Sequence, residues 1–184
     1  SLITRFFAAK PKHKVSLEGI LHLLNVARDA GVVKDYEDRM VKSVFRFNDT
    51  PVEAIMTHRT EVFSLEANQR LKDVLETVNE EGYSRIPVYE DHPEKIVGIV
   101  LVKDIMDRII KGQEGLKLKE IMIKPLIVME TRKVNELFWQ FKRAKLNIAI
   151  VMDEYGGLAG VVTQEEVVEE LFGELYDDDE EKGW

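Results

Sequence analysis

Residues 157–171 read GLAGVVTQEEVVEEL. A short apolar strand runs into Thr163, and a helix with acidic residues at its start follows. Thr163 and Glu166 stand as in a capping box, a hydroxyl at the helix start and a carboxylate three residues on. That arrangement satisfies two orphan backbone N–H groups with no ligand at all. A threonine at such a junction can equally hold a phosphate or a ribose at the positive end of the helix. What decides the fold is that the stretch has a counterpart, IVGIVLVKDIM at residues 96–106. Gly98 precedes Gly160 by 62 residues, and Leu101 takes the place of Thr163.

The correspondence extends in both directions. Met56 matches Met122 at an offset of 66. Leu71, Val74, Leu75 and Val78 match Val134, Leu137, Phe138 and Phe141 at 63, and Val88 matches Val151 at 63. Both quartets carry the i, i+3, i+4, i+7 spacing of one helix face. The offset changes only between elements, as it does when a unit is copied and its loops drift. Each copy reads as helix, short strand, helix, strand, turn, strand, helix. RIPVY (85–89) and IVGIVLV (96–102) pair across EDHPEK (90–95). IAIVMD (148–153) and LAGVVT (158–163) pair across EYGG (154–157), whose glycines suit a hairpin. Two copies are too few for a solenoid, so the expected outcome is a pair that buries its faces against itself.

Upstream, SLEGILHLLNVARDAG (16–31) places Ile20, Leu23, Leu24 and Ala27 on one helix face, with Gly31 placed to end the helix. A second helix in KDYEDRMVKSVFRF (34–47) carries the stripe Met40, Val44, Phe47. In DTPVEAIM (49–56), Thr50, Pro51 and Glu53 read as a capping box with proline in the first turn. Residues 1–15 are basic, with Arg5, Lys10, Lys12 and Lys14. They read as a solvated linker or as a segment beside anionic lipid headgroups. At the other end, the acidic run Asp177 to Glu181 reads as a solvated tail.

The chain has 184 residues, 45% hydrophobic and 33% charged, with no cysteine. It therefore forms compact globular structure without disulfides, thiolate metal sites or a cysteine nucleophile. A formal charge of −8 with no basic stripe argues against a nucleic-acid partner. The longest apolar run, 96–102, is far below the roughly 20 residues a bilayer span needs, and the N-terminus does not read as a signal peptide. A start at Ser1 fits a piece of a longer chain. His13, His22, His58 and His92 lack ligand spacing, and no nucleophile–base–orienter set is visible, so neither a metal site nor catalysis is expected.

With these motifs in view, residues 50–175 resemble a tandem pair of CBS domains, the regulatory unit called a Bateman module. FNDTPVEAIMTHRTEVFSL, GYSRIPVYED, IVGIVLVKDI, VMDEYGGLAGVVTQEEVVEEL and GELYDDD are similar, in order, to the CBS pair of the CorB/CorC family. That family comprises magnesium and cobalt efflux or hemolysin-like proteins related to cyclin-M transporters. The resemblance implies an α+β fold of two β-α-β-β-α repeats packed as a pseudo-symmetric pair. The divisions are a basic linker at 1–15, a helical linker at 16–49, repeats at 50–113 and 114–175, and an acidic tail at 176–184. It also implies a homodimer on the cytoplasmic side of a membrane, coupled to a membrane domain of its own.

The resemblance further implies a nucleotide cleft between the repeats. Thr163 and Glu166 would face the ribose and phosphates, and Thr57, Val62, Tyr83, Ser84, Arg85 and Pro87 would complete the walls. The ligand would be ATP with Mg2+, or AMP or ADP. Family members usually carry aspartate where Glu166 stands, which lengthens the reach by one methylene. In the mirror-related cleft, Leu101 replaces the threonine and Ile148 stands where Arg85 stands. That cleft is therefore expected to lack a matched cation, leaving one nucleotide per chain. Two other readings stay open: a structural dimerisation module with an empty cleft, and an accessory domain of a soluble enzyme.

Overall fold

The structure, a computed structural model, describes residues 15–180, with side chains through Phe172. The basic residues Arg5, Lys10, Lys12 and Lys14, and the last four residues, lie outside the described residues. The chain divides between Lys42 and Ser43 into two compact units.

The first unit is built on α1 (Leu17–Asp29) and most of α2 (Asp35–Phe47). Ser16 caps α1 by accepting from the Gly19 N–H at 3.0 Å, and Gly31 follows the helix at φ +73°, where a side chain would be strained. The turn brings Asp38, only 2% exposed, under two cations. Its Oδ2 accepts from Lys42 Nζ at 2.7 Å and from Arg28 Nη1 at 3.1 Å, while Lys42 also donates to Asn25 Oδ1 at 2.8 Å. The hydrogen bond from Lys42 leads the causes that hold the Asp38 carboxyl below its ordinary range, against the opposing cost of burial. The predicted apolar stripe of α1 is left open, with Leu23 65% and Ile20 39% exposed.

The second unit contains both repeats. One sheet has the order β2 (Leu65–Glu66), β3 (Arg85–Glu90), β4 (His92–Leu101), flanked by α3 (Leu71–Glu81) and α4 (Val102–Ile110). Leu71, Val74 and Val78 of α3 are buried with Ile86, Val88, Val100 and Ile105, as the helical spacing predicts. The second repeat contributes α5 (Leu118–Ile121), β5 (Leu126–Met129), α6 (Val134–Ala144), β6 (Ile148–Met152), β7 (Leu158–Thr163) and α7 (Gln164–Glu180). Val134, Leu137 and Phe141 pack there against Ala149, Val151 and Val162. A third cluster, Ile99, Ile148, Ile150, Leu158 and Val161, draws on both repeats and joins them.

Each repeat lends an edge to the other. β1 (Thr57–His58), which precedes the first repeat's helix, pairs antiparallel with β7, so the second sheet runs β1-β7-β6-β5. Correspondingly, Ile123 bridges Ile99 of β4 through two backbone hydrogen bonds of 3.0 and 2.8 Å. The aligned glycines make this exchange possible. A Cβ on Gly160 would collide with the Thr57 carbonyl oxygen, and one on Gly98 would collide with Met122 Sδ. Only glycine lets the crossing segment approach this closely.

Three sequence expectations need correction. No capping box forms at Thr50, because the Thr50 hydroxyl donates back to the Arg46 carbonyl at 3.0 Å. The Val52 and Glu53 N–H groups bond instead to the carbonyls of Arg132 and Glu130, and the segment closes as a single 3-10 turn at Val52–Ala54. The loop expected at 90–95 is nearly all strand, turning at Asp91 with φ +65°. The backbone of α7 continues through residues 176–180, where a tail is expected.

Candidate functional site

The exchanged edge places Thr57 at the start of α7, 109 residues away in sequence. Its hydroxyl donates to Glu166 Oε1 at 2.9 Å. Glu166 Oε2 accepts from the Thr163 N–H at 2.7 Å, and Thr163 Oγ1 accepts from the Glu166 N–H at 3.2 Å. The predicted capping box is therefore present, and Thr57 adds a third bond to it. One carboxylate ties together the segment entering the first repeat, the end of β7 and the first turn of α7. Thr57, Thr163 and Glu166 are all half-buried, so the cluster is open on one side. The Thr163 hydroxyl proton has no acceptor among the described residues and remains available.

Arg85 stands beside this cluster. Its Nη1 lies 3.6 Å from Glu165 Oε1 on the first turn of α7. Its Nη2 donates to the Asn147 side-chain oxygen when that amide is oriented to donate to the Leu146 carbonyl and Gln164 Oε1. The guanidinium thus bridges the first repeat to two elements of the second. Tyr83, half exposed, stacks on Phe63 with ring centroids 5.9 Å apart. Val62 packs against the cluster joining the repeats. The exposed Ser84 accepts at its carbonyl from the Val102 N–H at 3.0 Å. Pro87 is buried in β3 opposite Ile99. The structure therefore brings Thr57, Thr163 and Glu166 into direct contact, with Arg85 joined to the same helix start through Glu165.

Tyr83, Ser84 and Arg85 also line a cavity of about 580 Å³ on the mirror-related side, together with Leu101, Lys103 and Lys145. Ile148 lines it where a counterpart of Arg85 would stand, while three cations from other positions, Arg85, Lys103 and Lys145, reach the same cavity. Laying the repeats side by side could have found them, because Lys103 aligns with Glu165 and Lys145 with Gly82. Among the described residues, no group of three His, Asp or Glu is placed to hold a metal ion, and no helix is long and apolar enough to cross a membrane.

Two stacked α/β repeats with exchanged edges and a threonine–carboxylate cluster at the junction define a tandem regulatory pair. The CBS domain model matches residues 52–111 and 118–173, and the chain belongs to that family. The magnesium and cobalt efflux protein CorC of Escherichia coli is 29% identical over 98% of this chain and 61% of its own length. Among solved structures, the CBS domain of a bacterial CNNM/CorC family Mg2+ transporter is 36% identical with a TM-score of 0.82, covering 89% of this chain and 99% of that one. A CBS domain of the same description in complex with ATP is 38% identical with a TM-score of 0.71, covering 74% and 97%. The chain spans between 25% and 61% of the length of the curated relatives it matches.

Proposed function

We propose that this chain is a non-catalytic regulatory module that binds an adenine nucleotide, ATP with Mg2+, in the cleft at Thr57, Thr163 and Glu166, and transmits occupancy to a magnesium- or cobalt-transporting membrane domain. The observation that carries the reading is the Thr57–Glu166 hydrogen bond, because it joins the two repeats at the point a ribose would touch both. The Thr163 hydroxyl donates to the ligand, the outer lone pairs of Glu166 accept from ribose hydroxyls, and the N–H groups starting α7 favour a phosphate. Arg85 exchanges Glu165 for phosphate oxygens, a charge-assisted contact of greater strength. Mg2+ offsets the triphosphate charge that one arginine cannot balance. The ATP complex of the related CBS domain supports the same reading.

A purely structural role is the second reading. The satisfied triad of Thr57, Glu166 and Thr163 favours it, since that triad is complete without a ligand. Calorimetry with Mg-ATP, Mg-GTP and metal-free ATP separates the two. A regulatory nucleotide site gives one Mg-ATP per chain, weaker GTP, and weaker ATP without Mg2+. The structural module gives no saturable heat with any of them.

A further inference from the structure

We propose that the cavity beside Leu101 is a second, distinct ligand site, selective for a small amphipathic anion with an apolar body and a single anionic head rather than for a nucleotide. The repeat symmetry shows how the cavity was remade. The counterparts of Thr57, Thr163 and Arg85 in this cleft are Ile123, Leu101 and Ile148. Three of the four groups that would meet a ribose or phosphate in the first cleft are aliphatic in the second; the fourth, Glu166, corresponds to Asp104 in the first turn of α4, which does not line the cavity. The charge at the mouth is reversed as well, because Lys103 stands where Glu165 stands. The cavity lining contains Arg85, Lys103 and Lys145 and no carboxylate. Its volume of about 580 Å³ lies within the span of small-molecule sites, which are apolar pockets with a few oriented polar groups.

Two of these cations occupy positions that local physics disfavours. Lys145 holds φ +54°, the left-handed conformation that its counterpart Gly82 adopts at +71° without a Cβ penalty. Lys103 lies in the first turn of α4, where the helix dipole repels a positive charge. Neither lysine side chain has a hydrogen bond or ion pair among the described residues, and both residues are exposed at the cavity. An anionic head near the two ammonium groups offsets the repulsion of Lys103 by the helix start and pairs with Lys145, and the aliphatic floor takes up the apolar body. A nucleotide is disfavoured because Leu101 and Ile123 offer its ribose no hydroxyl and Asp104, the counterpart of Glu166, does not line the cavity.

The test uses 8-anilinonaphthalene-1-sulfonate as the apolar anion and N-phenyl-1-naphthylamine as its uncharged counterpart, read by fluorescence titration in saturating Mg-ATP. The wild type is compared with Lys103→Gln, Lys145→Gly and the double variant. Lys145→Gly supplies the residue found at the equivalent turn, so the fold is retained. The expected result is one sulfonate per chain, its Kd raised at least about tenfold in the double variant, with the neutral probe unchanged within twofold. A sulfonate Kd unchanged in the double variant, an equal loss for both probes, or no saturable sulfonate binding overturns the proposal. Each of these is independent of the Thr163 cleft, because neither lysine belongs to it and Mg-ATP is present throughout.

Discussion

Gly160→Ala probes the exchange of edges on which the whole arrangement depends. The new methyl would overlap the Thr57 carbonyl oxygen, with the Thr57 carbonyl carbon and Met56 Sδ both 3.1 Å away. Backbone cannot rotate aside as a side chain can, so β1 must lift from β7. Overpacking of this kind costs about 1–3 kcal/mol. Lifting β1 also breaks the Thr57 bond to the Glu166 carboxylate, and a hydrogen bond to a charged group is worth about 1.5–3 kcal/mol. The two losses share one displacement and are not additive, so the expected destabilisation is about 2–4 kcal/mol. At Gly98 the obstacle is the Met122 side chain, whose Sδ and Cγ can rotate away while its Cβ, 3.0 Å from the new methyl, must give slightly. Gly98→Ala should therefore cost less, about 1 kcal/mol, within the lower end of the overpacking range. Urea unfolding followed by circular dichroism reads both, as a lowered midpoint at constant slope. Equal stability of Gly160→Ala and wild type, or a larger loss for Gly98→Ala, would refute the steric argument.

Other outcomes follow from the same geometry. Thr57→Val keeps the shape but strips Glu166 Oε1 of its donor, and should cost about 1–3 kcal/mol in urea unfolding, together with a measurable drop in Mg-ATP affinity by calorimetry. A variant of unchanged stability would show the bond to be idle. Asp38 is held below its ordinary carboxyl range chiefly by Lys42. A depressed folded value stabilises at neutral pH, and that contribution is lost as pH falls below about 3.9 through the lower folded value. An NMR titration of Asp38 should therefore give a midpoint below that of an unfolded peptide, and Asp38→Asn should remove this part of the acid sensitivity of α1 and α2; a midpoint at or above 4 would contradict the pairing. The open stripes, with Leu23, Val26, Met40 and Val44 all exposed, should be covered by a second copy of the chain. Sedimentation at micromolar concentration should give twice 21.2 kDa, and a strict monomer would leave that surface unexplained.

Much of this architecture is written locally. The quartets Leu71–Val78 and Val134–Phe141 have helical period, and their helices fall where that period puts them, because each stripe has a sheet face to cover. The hairpin at 153–157 is likewise set by nearby residues, since Asp153 Oδ1 accepts from the N–H groups of Tyr155 and Gly157. The edge exchange is not local. β1 is two residues long, too short to show any period, and its partner lies a hundred residues on. The failed cap at Thr50 has the same origin: carbonyls of Glu130 and Arg132 claim the N–H groups that the local motif would satisfy. In the site, the Thr163–Glu166 box was legible because both partners lie within one turn. The third partner, Thr57, is placed there by tertiary structure and was reachable only through the family resemblance. The cations of the mirror cleft were visible in the repeat alignment but not in either repeat alone.

Calorimetric titration of Mg-ATP into wild type and Thr163→Ile tests the central claim most directly. Isoleucine keeps the β-branch, removes the hydroxyl and fills the first cleft as Leu101 fills the second. The expected result is a folded variant with Mg-ATP affinity reduced at least about tenfold, or roughly 1.4 kcal/mol. Undiminished Mg-ATP binding by the folded variant would place the nucleotide elsewhere and return Thr163 to the role of a helix cap.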